Sequence, residues 1–296
     1  MVLPLLPLLR SLRPQQWFKN FFVLAPLVFA QRLTDLEALE RAVTAFAAFC
    51  LAASAVYLLN DLHDRDEDRR HPSKRFRPLA AGTLSVPLAW LAVAFLLVGA
   101  TWLTALLGRG FATFLLAYLV LNVLYSLGLK TVVILDVLCI SLGFVLRILA
   151  GAAAIDVKVS SWLLLCTTFL SLFLAFSKRR HEIQLLADGA VHQRKVLSQY
   201  SAAFLDQMIN VVTASAVVCY ALYAVSPETV ERFHTEHLVY TVPFVLFGVF
   251  RYLYLVYQRT DAKNPTEALM FDGPFLVNLI LWAAAVVWIV YSFPLL

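Results

Sequence analysis

Long apolar runs alternate with short polar breaks along this chain. The runs cover residues 42–59, 86–107, 111–128, 132–154, 162–176, 209–225, 238–257 and 274–293, with a shorter one, 21–30, ahead of them. A helix rises about 1.5 Å per residue, so crossing a hydrocarbon layer of about 30 Å takes about 20 residues. The pattern therefore predicts an all-α polytopic membrane protein with nine transmembrane helices. The first run is short and must borrow from residues 10–20, RSLRPQQWFKN. That stretch reads as an interfacial lead-in, with Trp17 and Phe18 suited to the headgroup layer and Arg10, Arg13 and Lys19 to anionic lipid.

The longest strongly polar run is residues 60–82, NDLHDRDEDRRHPSKRFRPLAAG. Asp61, Asp64 and Asp68 follow in steps of three and four, and Asn60 stands four before Asp64, spacings that a helix gathers on one face. Four oxygen-bearing groups on one stripe repel one another unless a cation sits among them. Mg²⁺ takes carboxylate oxygens and shares phosphate oxygens with a substrate. Lys74, Arg75 and Arg77 follow directly and are the residue types that hold phosphate. The run reads as a metal–diphosphate site at a membrane face, or as a solvated mixed-charge loop that sets topology.

Composition narrows the class. Hydrophobic residues make up 61% of the chain and charged ones 15%, which excludes a soluble domain with a large core. Residues 1–13 carry two arginines after an apolar start and no small-residue cleavage site, so the first helix is expected to act as its own insertion signal. No linker rich in Gly, Ser or Pro divides the chain, and one membrane domain, 1–296, is expected. Cys50, Cys139, Cys166 and Cys219 all lie in apolar runs and read as packed thiols.

Charge supplies the topology. With the N-terminus in the cytoplasm, the lead-in and the loops at 60–85, 129–131, 177–207 and 258–273 fall inside and carry seventeen lysines and arginines. The outer loops hold only Arg32, Arg41, Arg109, Lys158 and Arg232. This positive-inside bias puts every long polar loop on the cytoplasmic side of a plasma (inner) membrane.

Further polar groups join the candidates. SKRRHEI, residues 177–183, places Lys178 and Arg179 four and three residues before Glu182, on one helix face; Arg194 follows. The fourth run ends with Asn122, Tyr125, Ser126 and Lys130. Asp136 is only about 9 Å further along a helix from Lys130, so the choice lies between a local ion pair and a functional carboxylate. Arg147, about 25 Å from Lys130 on the same count, reads as a structural or snorkelling arginine. Arg251 and Asp272 are read as a pair or as cavity lining. The histidines form no i,i+4 pair with an acid, which disfavours zinc chemistry, and no phosphate-binding glycine motif occurs. Nucleic-acid binding is disfavoured because the bases are hemmed in by apolar runs.

NDLHDRDED matches N-D-x-x-D-x-x-x-D, the motif of the UbiA-type membrane prenyltransferase superfamily, which the chain resembles over nearly its whole length. The run HPSKRFRPLAAG and the YSLGLK that ends the fourth run resemble the same family. The resemblance implies nine helices around a central cavity and a diphosphate held through Mg²⁺, with Mn²⁺ as a substitute. Members that prenylate aromatic acids carry a second aspartate-rich motif where this chain has SKRRHEI. That departure, with RPQQWFKN and VLRILAGA, is similar to the branch of decaprenyl-phosphate phosphoribosyltransferases, which make a lipid-linked pentose precursor for cell-wall arabinan. Its donor would be phosphoribosyl diphosphate and its acceptor a polyprenyl phosphate in the membrane lipid.

The resemblance assigns Asn60, Asp61, Asp64 and Asp68 to the metal, the three aspartates being catalytic. Lys19, Lys74, Arg75, Arg77, Tyr125, Lys130, Asp136, Lys178, Arg179, Glu182 and Arg194 fall to the substrates. Two rivals remain at this level: prenyl transfer from a polyprenyl diphosphate to a small acceptor, and a non-enzymatic lipid transporter or scaffold. A homo-oligomer is compatible with the sequence.

Overall fold

The computed structural model describes residues 5–71, 74–187, 196–258 and 271–292. These residues form helices joined by 3-10 turns, with no strand among them. The helices are α1 (Leu5–Leu12), α2 (Ala25–Phe29), α3 (Leu36–His63), α4 (Arg65–Arg70), α5 (Val86–Leu107), α6 (Arg109–Leu127), α7 (Leu135–Ala154), α8 (Ser161–Ala187), α9 (Ala202–Val225), α10 (Pro227–Phe233), α11 (Val242–Gln258) and α12 (Gly273–Ser292). Eight segments among the described residues are long and apolar enough to cross a membrane. The chain is a multi-pass membrane protein.

The short first run is where expectation and structure part. Residues 14–24 form a 3-10 stretch, Pro14–Leu24, followed by the five residues of α2. Prolines stand in the first turn of each, where a missing N–H costs nothing, so two short helices start and neither reaches spanning length. α8 differs in the other direction. It continues past the apolar run through SKRRHE to Ala187, because Lys, Arg and Glu are good helix formers and Arg179 pairs with Glu182 one turn on. α3 also begins earlier than its apolar run. The carboxylate of Asp35 accepts the N–H groups of Glu37 and Ala38, a cap that satisfies donors left open at a helix start. Those N–H bonds, and then Arg32, hold the Asp35 carboxyl below its ordinary range.

The chain divides into two compact units. The first comprises Met1–Lys130 and Gly143–Val159. Its centre is α3, whose buried face is built of Ala45, Ala48, Ala52 and Ala55. Such small side chains let helix backbones approach closely where lipid offers no hydrophobic drive for association. Phe111, Leu115 and Tyr118 of α6 and Leu146 and Ala150 of α7 complete this core. Gly151 marks the tightest approach, since a Cβ there would stand 2.0 Å from the carbonyl oxygen of Val23. Trp90, Phe95, Val98 and Trp102 of α5 point outward, as lipid-facing side chains do.

Arg147 lies in this unit and is 6% exposed. Its Nε donates to Asn20 Oδ1 at 2.9 Å, Nη1 to the Gly143 carbonyl at 2.8 Å and Nη2 to the Tyr118 hydroxyl at 3.0 Å. It is therefore a structural arginine that does not snorkel. It ties the 3-10 stretch, α6 and α7 together.

The second unit comprises Thr131–Leu142 and Ser160–Leu296. Phe173 and Phe176 of α8, Leu205 and Ile209 of α9, and Tyr252 and Leu255 of α11 form its core. Arg251 and Asp272 make a bidentate pair at 3.0 and 2.9 Å. Asp272 also accepts the Phe275 N–H, so one carboxylate caps α12 and joins it to α11.

Candidate functional site

The acid run does not lie on one uninterrupted helix. Asn60 and Asp61 end α3, Asp64 stands at the junction and Asp68 is in α4. The junction preserves helical register, since the Asp64 N–H donates to Asn60 O and the Asp68 N–H to Asp64 O, both at 2.8 Å. The step pattern therefore survives the break in the first unit.

Two separate pieces of chain bring bases to these acids. Downstream, Leu79 and Leu84 are buried against Ala55, Leu58 and Ala89, which pins the 77–84 turn onto α3 and α5. Gly82 closes that turn at φ +75°, a conformation that costs glycine little. Arg77, at the head of the turn, puts one nitrogen, Nη1, 3.1 Å from Asp61 Oδ1 and 2.7 Å from Asp68 Oδ2. Lys74 stands 3.8 Å from Asp68 Oδ1.

Upstream, the lead-in is anchored on α3. Trp17 Nε1 donates to Ser54 Oγ at 3.1 Å, and Ser54 Oγ donates to the Leu12 carbonyl at 3.0 Å. Arg13 then lies over the Tyr57 ring and reaches Asp61 Oδ1 at 2.5 Å. Ser54, Tyr57 and Asp61 are three and four residues apart, so one face of α3 receives the whole lead-in. Arg13 was not among the site residues read from the sequence. Its pairing spans 48 residues of chain, and no local spacing announces it.

The remaining members come from α6 and beyond. Lys130 Nζ is 3.6 Å from Asp64 Oδ1, so Lys130 pairs with the acid run. Ser126 Oγ lies 2.7 Å from Asn60 Oδ1. Tyr125, its neighbour, is half-buried. Lys19 lies over Phe18 and Arg75 over Phe76. Asp61 is 3% exposed and Arg77 28%.

Oxygen donors suit a hard divalent ion. Among the described residues, no three acids or histidines converge on one point. Two do: Asp61 and Asp68 already share a cation, the Arg77 guanidinium. The donor set therefore fits a divalent ion that displaces a base. Counted together, the three acids Asp61, Asp64 and Asp68 face four bases, Arg13, Lys74, Arg77 and Lys130. The cluster carries one positive charge in excess.

The second unit holds a different arrangement. Arg179 is 1% exposed and Asp136 not at all. Arg179 Nε donates to Asp136 Oδ2 and Nη1 to Glu182 Oε2, both at 2.7 Å. The Tyr200 hydroxyl donates to Asp136 Oδ1 at 2.7 Å and accepts the Ile134 N–H at the same distance. Ile134 has φ +70°, a costly conformation for a β-branched residue. Burial, and then the bond to Asp136, push the Tyr200 phenol above its ordinary range. Arg180 binds Asp206 at 2.8 Å, and Lys178 is half-buried. Arg194 lies outside the described residues.

Comparison with known proteins bears on both units. The UbiA prenyltransferase family model matches residues 21–280. A protein of Mycolicibacterium smegmatis named decaprenyl-phosphate phosphoribosyltransferase is 35% identical, over 94% of this chain and 91% of its own. A Corynebacterium glutamicum protein of the same name is 35% identical, over 97% and 88%. Among solved structures, a UbiA homolog from Archaeoglobus fulgidus bound to GPP and Mg²⁺ has a TM-score of 0.72 at 22% identity, covering 97% of this chain and 99% of that one. At that identity the likeness speaks for the fold alone.

Proposed function

Because the chain belongs to the UbiA prenyltransferase family, we propose that it is a decaprenyl-phosphate phosphoribosyltransferase. It moves the 5-phosphoribosyl group of phosphoribosyl diphosphate onto decaprenyl phosphate and releases pyrophosphate, a step toward the arabinan precursors of a cell wall. The observation that carries this reading is the 35% identity over 94% of the chain with a protein of that activity. The base-rich acid cluster of the first unit is the chemistry such a donor requires.

Asn60, Asp61, Asp64 and Asp68 would hold Mg²⁺, with Mn²⁺ able to replace it. Bound there, the ion would offset charge on the departing pyrophosphate. Arg13, Lys74 and Arg77, already beside these acids, offer N–H donors to the same phosphoryl oxygens. The bond from C1 of the ribose to the diphosphate breaks, and a bond from C1 to an oxygen of the lipid phosphate forms. That acceptor is an anion, so no strong general base is needed. Attack from the face opposite the leaving group inverts the anomeric carbon. Lys130, paired with Asp64, and Tyr125 would be further contacts for the donor. Lys19 and Arg75 are further contacts for phosphate, as is Lys178 in the second unit. Arg179, enclosed between Asp136 and Glu182, serves to position the end of α8.

The membrane orientation follows the charge bias, with the N-terminus and the acid cluster cytoplasmic. A ninth crossing would be made by Pro14–Leu24 and α2 together. Purified protein given phosphoribosyl diphosphate labelled in the ribose, decaprenyl phosphate and Mg²⁺ should yield label in the lipid fraction and equimolar pyrophosphate. Label that stays in the aqueous fraction, with pyrophosphate released only from a polyprenyl diphosphate, would assign prenyl transfer instead.

A further inference from the structure

Arg77 Nη1 stands between Asp61 Oδ1 and Asp68 Oδ2, while Arg13 takes the same Asp61 oxygen from the other side. The two carboxylates a metal needs are thus each held by a guanidinium. We propose that Arg77 and Arg13 are exchange cations: they exclude free divalent metal from Asp61 and Asp68 and yield only to a metal that arrives with a diphosphate. This rests on the reading of the acid cluster as a diphosphate site and adds to it an order of binding.

Charge decides the point. The cluster already carries one positive charge in excess. A divalent ion alone would raise the excess to three, in a place where Asp61 and Asp68 are nearly removed from water. It would also take from Arg13 and Arg77 the carboxylates that neutralise them and set like charges side by side. A diphosphate esterified at one end carries roughly three negative charges near neutral pH, its terminal phosphoryl supplying most of two. Metal and diphosphate together therefore bring the cluster close to neutrality. The geometry allows the exchange without unfolding. Arg77 is fixed by its backbone at the head of the pinned 77–84 turn, so only its side chain has to turn from carboxylate to phosphoryl oxygen. Arg13 is fixed in the same sense by the Trp17–Ser54–Leu12 bonds. Planar guanidinium groups serve carboxylate and phosphate with the same fork of donors.

The test is equilibrium binding to purified protein in detergent, with Mn²⁺ alone, pyrophosphate alone and preformed Mn²⁺–pyrophosphate as the probes. Wild type should bind the preformed complex more tightly than Mn²⁺ alone by a factor of about 5 to 150, the ordinary range of coupling between two ligands. Arg77→Gln should bind Mn²⁺ alone more tightly than wild type and the complex more weakly, with Arg13→Gln moving in the same direction. Arg77→Lys keeps the charge and should still exclude Mn²⁺, which separates charge exchange from damage to the turn. The proposal is overturned if wild type binds Mn²⁺ alone as tightly as the complex. It is overturned equally if neither glutamine variant gains affinity for the metal, or if the lysine variant gains as much as they do. Phosphoribosyl diphosphate used in place of pyrophosphate tests the underlying reading by itself. Coupling with pyrophosphate but none with phosphoribosyl diphosphate would sink the donor assignment and leave the exchange standing.

Discussion

Arg179 Nε lies 2.7 Å from Asp136 Oδ2, and neither side chain reaches solvent. A buried ion pair contributes little beyond what an apolar pair of similar volume would, but removing one member leaves the other charge unpaired at a cost of about 3–5 kcal/mol. Asp136→Leu alone should therefore unfold the second unit at markedly lower temperature. Asp136→Leu combined with Arg179→Met should recover most of that loss. Thermal unfolding in detergent of the two single variants and the double variant checks this. A double variant no more stable than the weaker single would show that the pair does more than balance charge.

Tyr200 supports the same carboxylate and, through its oxygen, the strained Ile134 backbone. Tyr200→Phe removes both bonds and should cost about 1–3 kcal/mol. Its pH dependence has a definite sign. The folded phenol titrates above its unfolded value, so its contribution is complete below about pH 10, the ordinary phenol range. It is lost as the pH rises from there through the folded value. The stability gap between wild type and Tyr200→Phe should be flat from pH 6 to 9 and should narrow above about pH 10. A gap that closes on the acid side would contradict the assignment.

How much of this was readable beforehand follows from which contacts are local. Asn60, Asp61, Asp64 and Asp68 are tied by steps of three and four, so their shared face was legible although a helix break falls among them. Asp136 was legible as costly, but not its partners: Arg179 and Tyr200 lie 43 and 64 residues away. Lys130 was expected either to pair with Asp136 or to reach phosphate; its observed partner is Asp64. The shape of the short first run was illegible for a different reason. Hydropathy registers apolar character but not the prolines that start a 3-10 stretch and a five-residue helix within residues 14–29. The basic residues after position 176 looked like a loop because they are polar, yet their helix propensity carries α8 on to Ala187.

Gly151 offers a sharp test of the packing in the first unit. A Cβ at this position would meet the Val23 carbonyl oxygen at 2.0 Å and its carbon at 2.8 Å. Both are backbone atoms and cannot swing aside. Gly151→Ala should separate α7 from the 3-10 stretch at a cost of at least about 1–3 kcal/mol, the usual range for overpacking. Gly128→Ala is the matched control, since nothing lies within 4 Å of its added Cβ. Membrane yield and thermal midpoint should fall for the first and hold for the second. Equal behaviour of the two would mean that α7 and Val23 are not in contact as described.

Ser126 carries the last prediction, through a count of protons. Its hydroxyl lies 2.7 Å from Asn60 Oδ1 and 2.8 Å from the Asn122 carbonyl. One hydroxyl proton serves only one of these acceptors. If it goes to Asn122, the Asn60 amide turned by 180° donates from Nδ2 to Ser126 and presents Oδ1 toward the acid run, which is the orientation a metal needs. On this account Ser126 positions a metal ligand without touching substrate. Removing such a supporting partner typically weakens metal binding by about 10- to 100-fold. Ser126→Ala should therefore raise the Mg²⁺ concentration that half-saturates pyrophosphate release by about that factor while leaving the rate at saturating Mg²⁺ close to wild type. Ser126→Thr, which keeps the hydroxyl, should restore the wild-type metal requirement. Chelation should abolish release in all three proteins, with Mn²⁺ restoring it. A Ser126→Ala protein that lost rate without any change in its metal requirement would place Ser126 in the scaffold and outside the site.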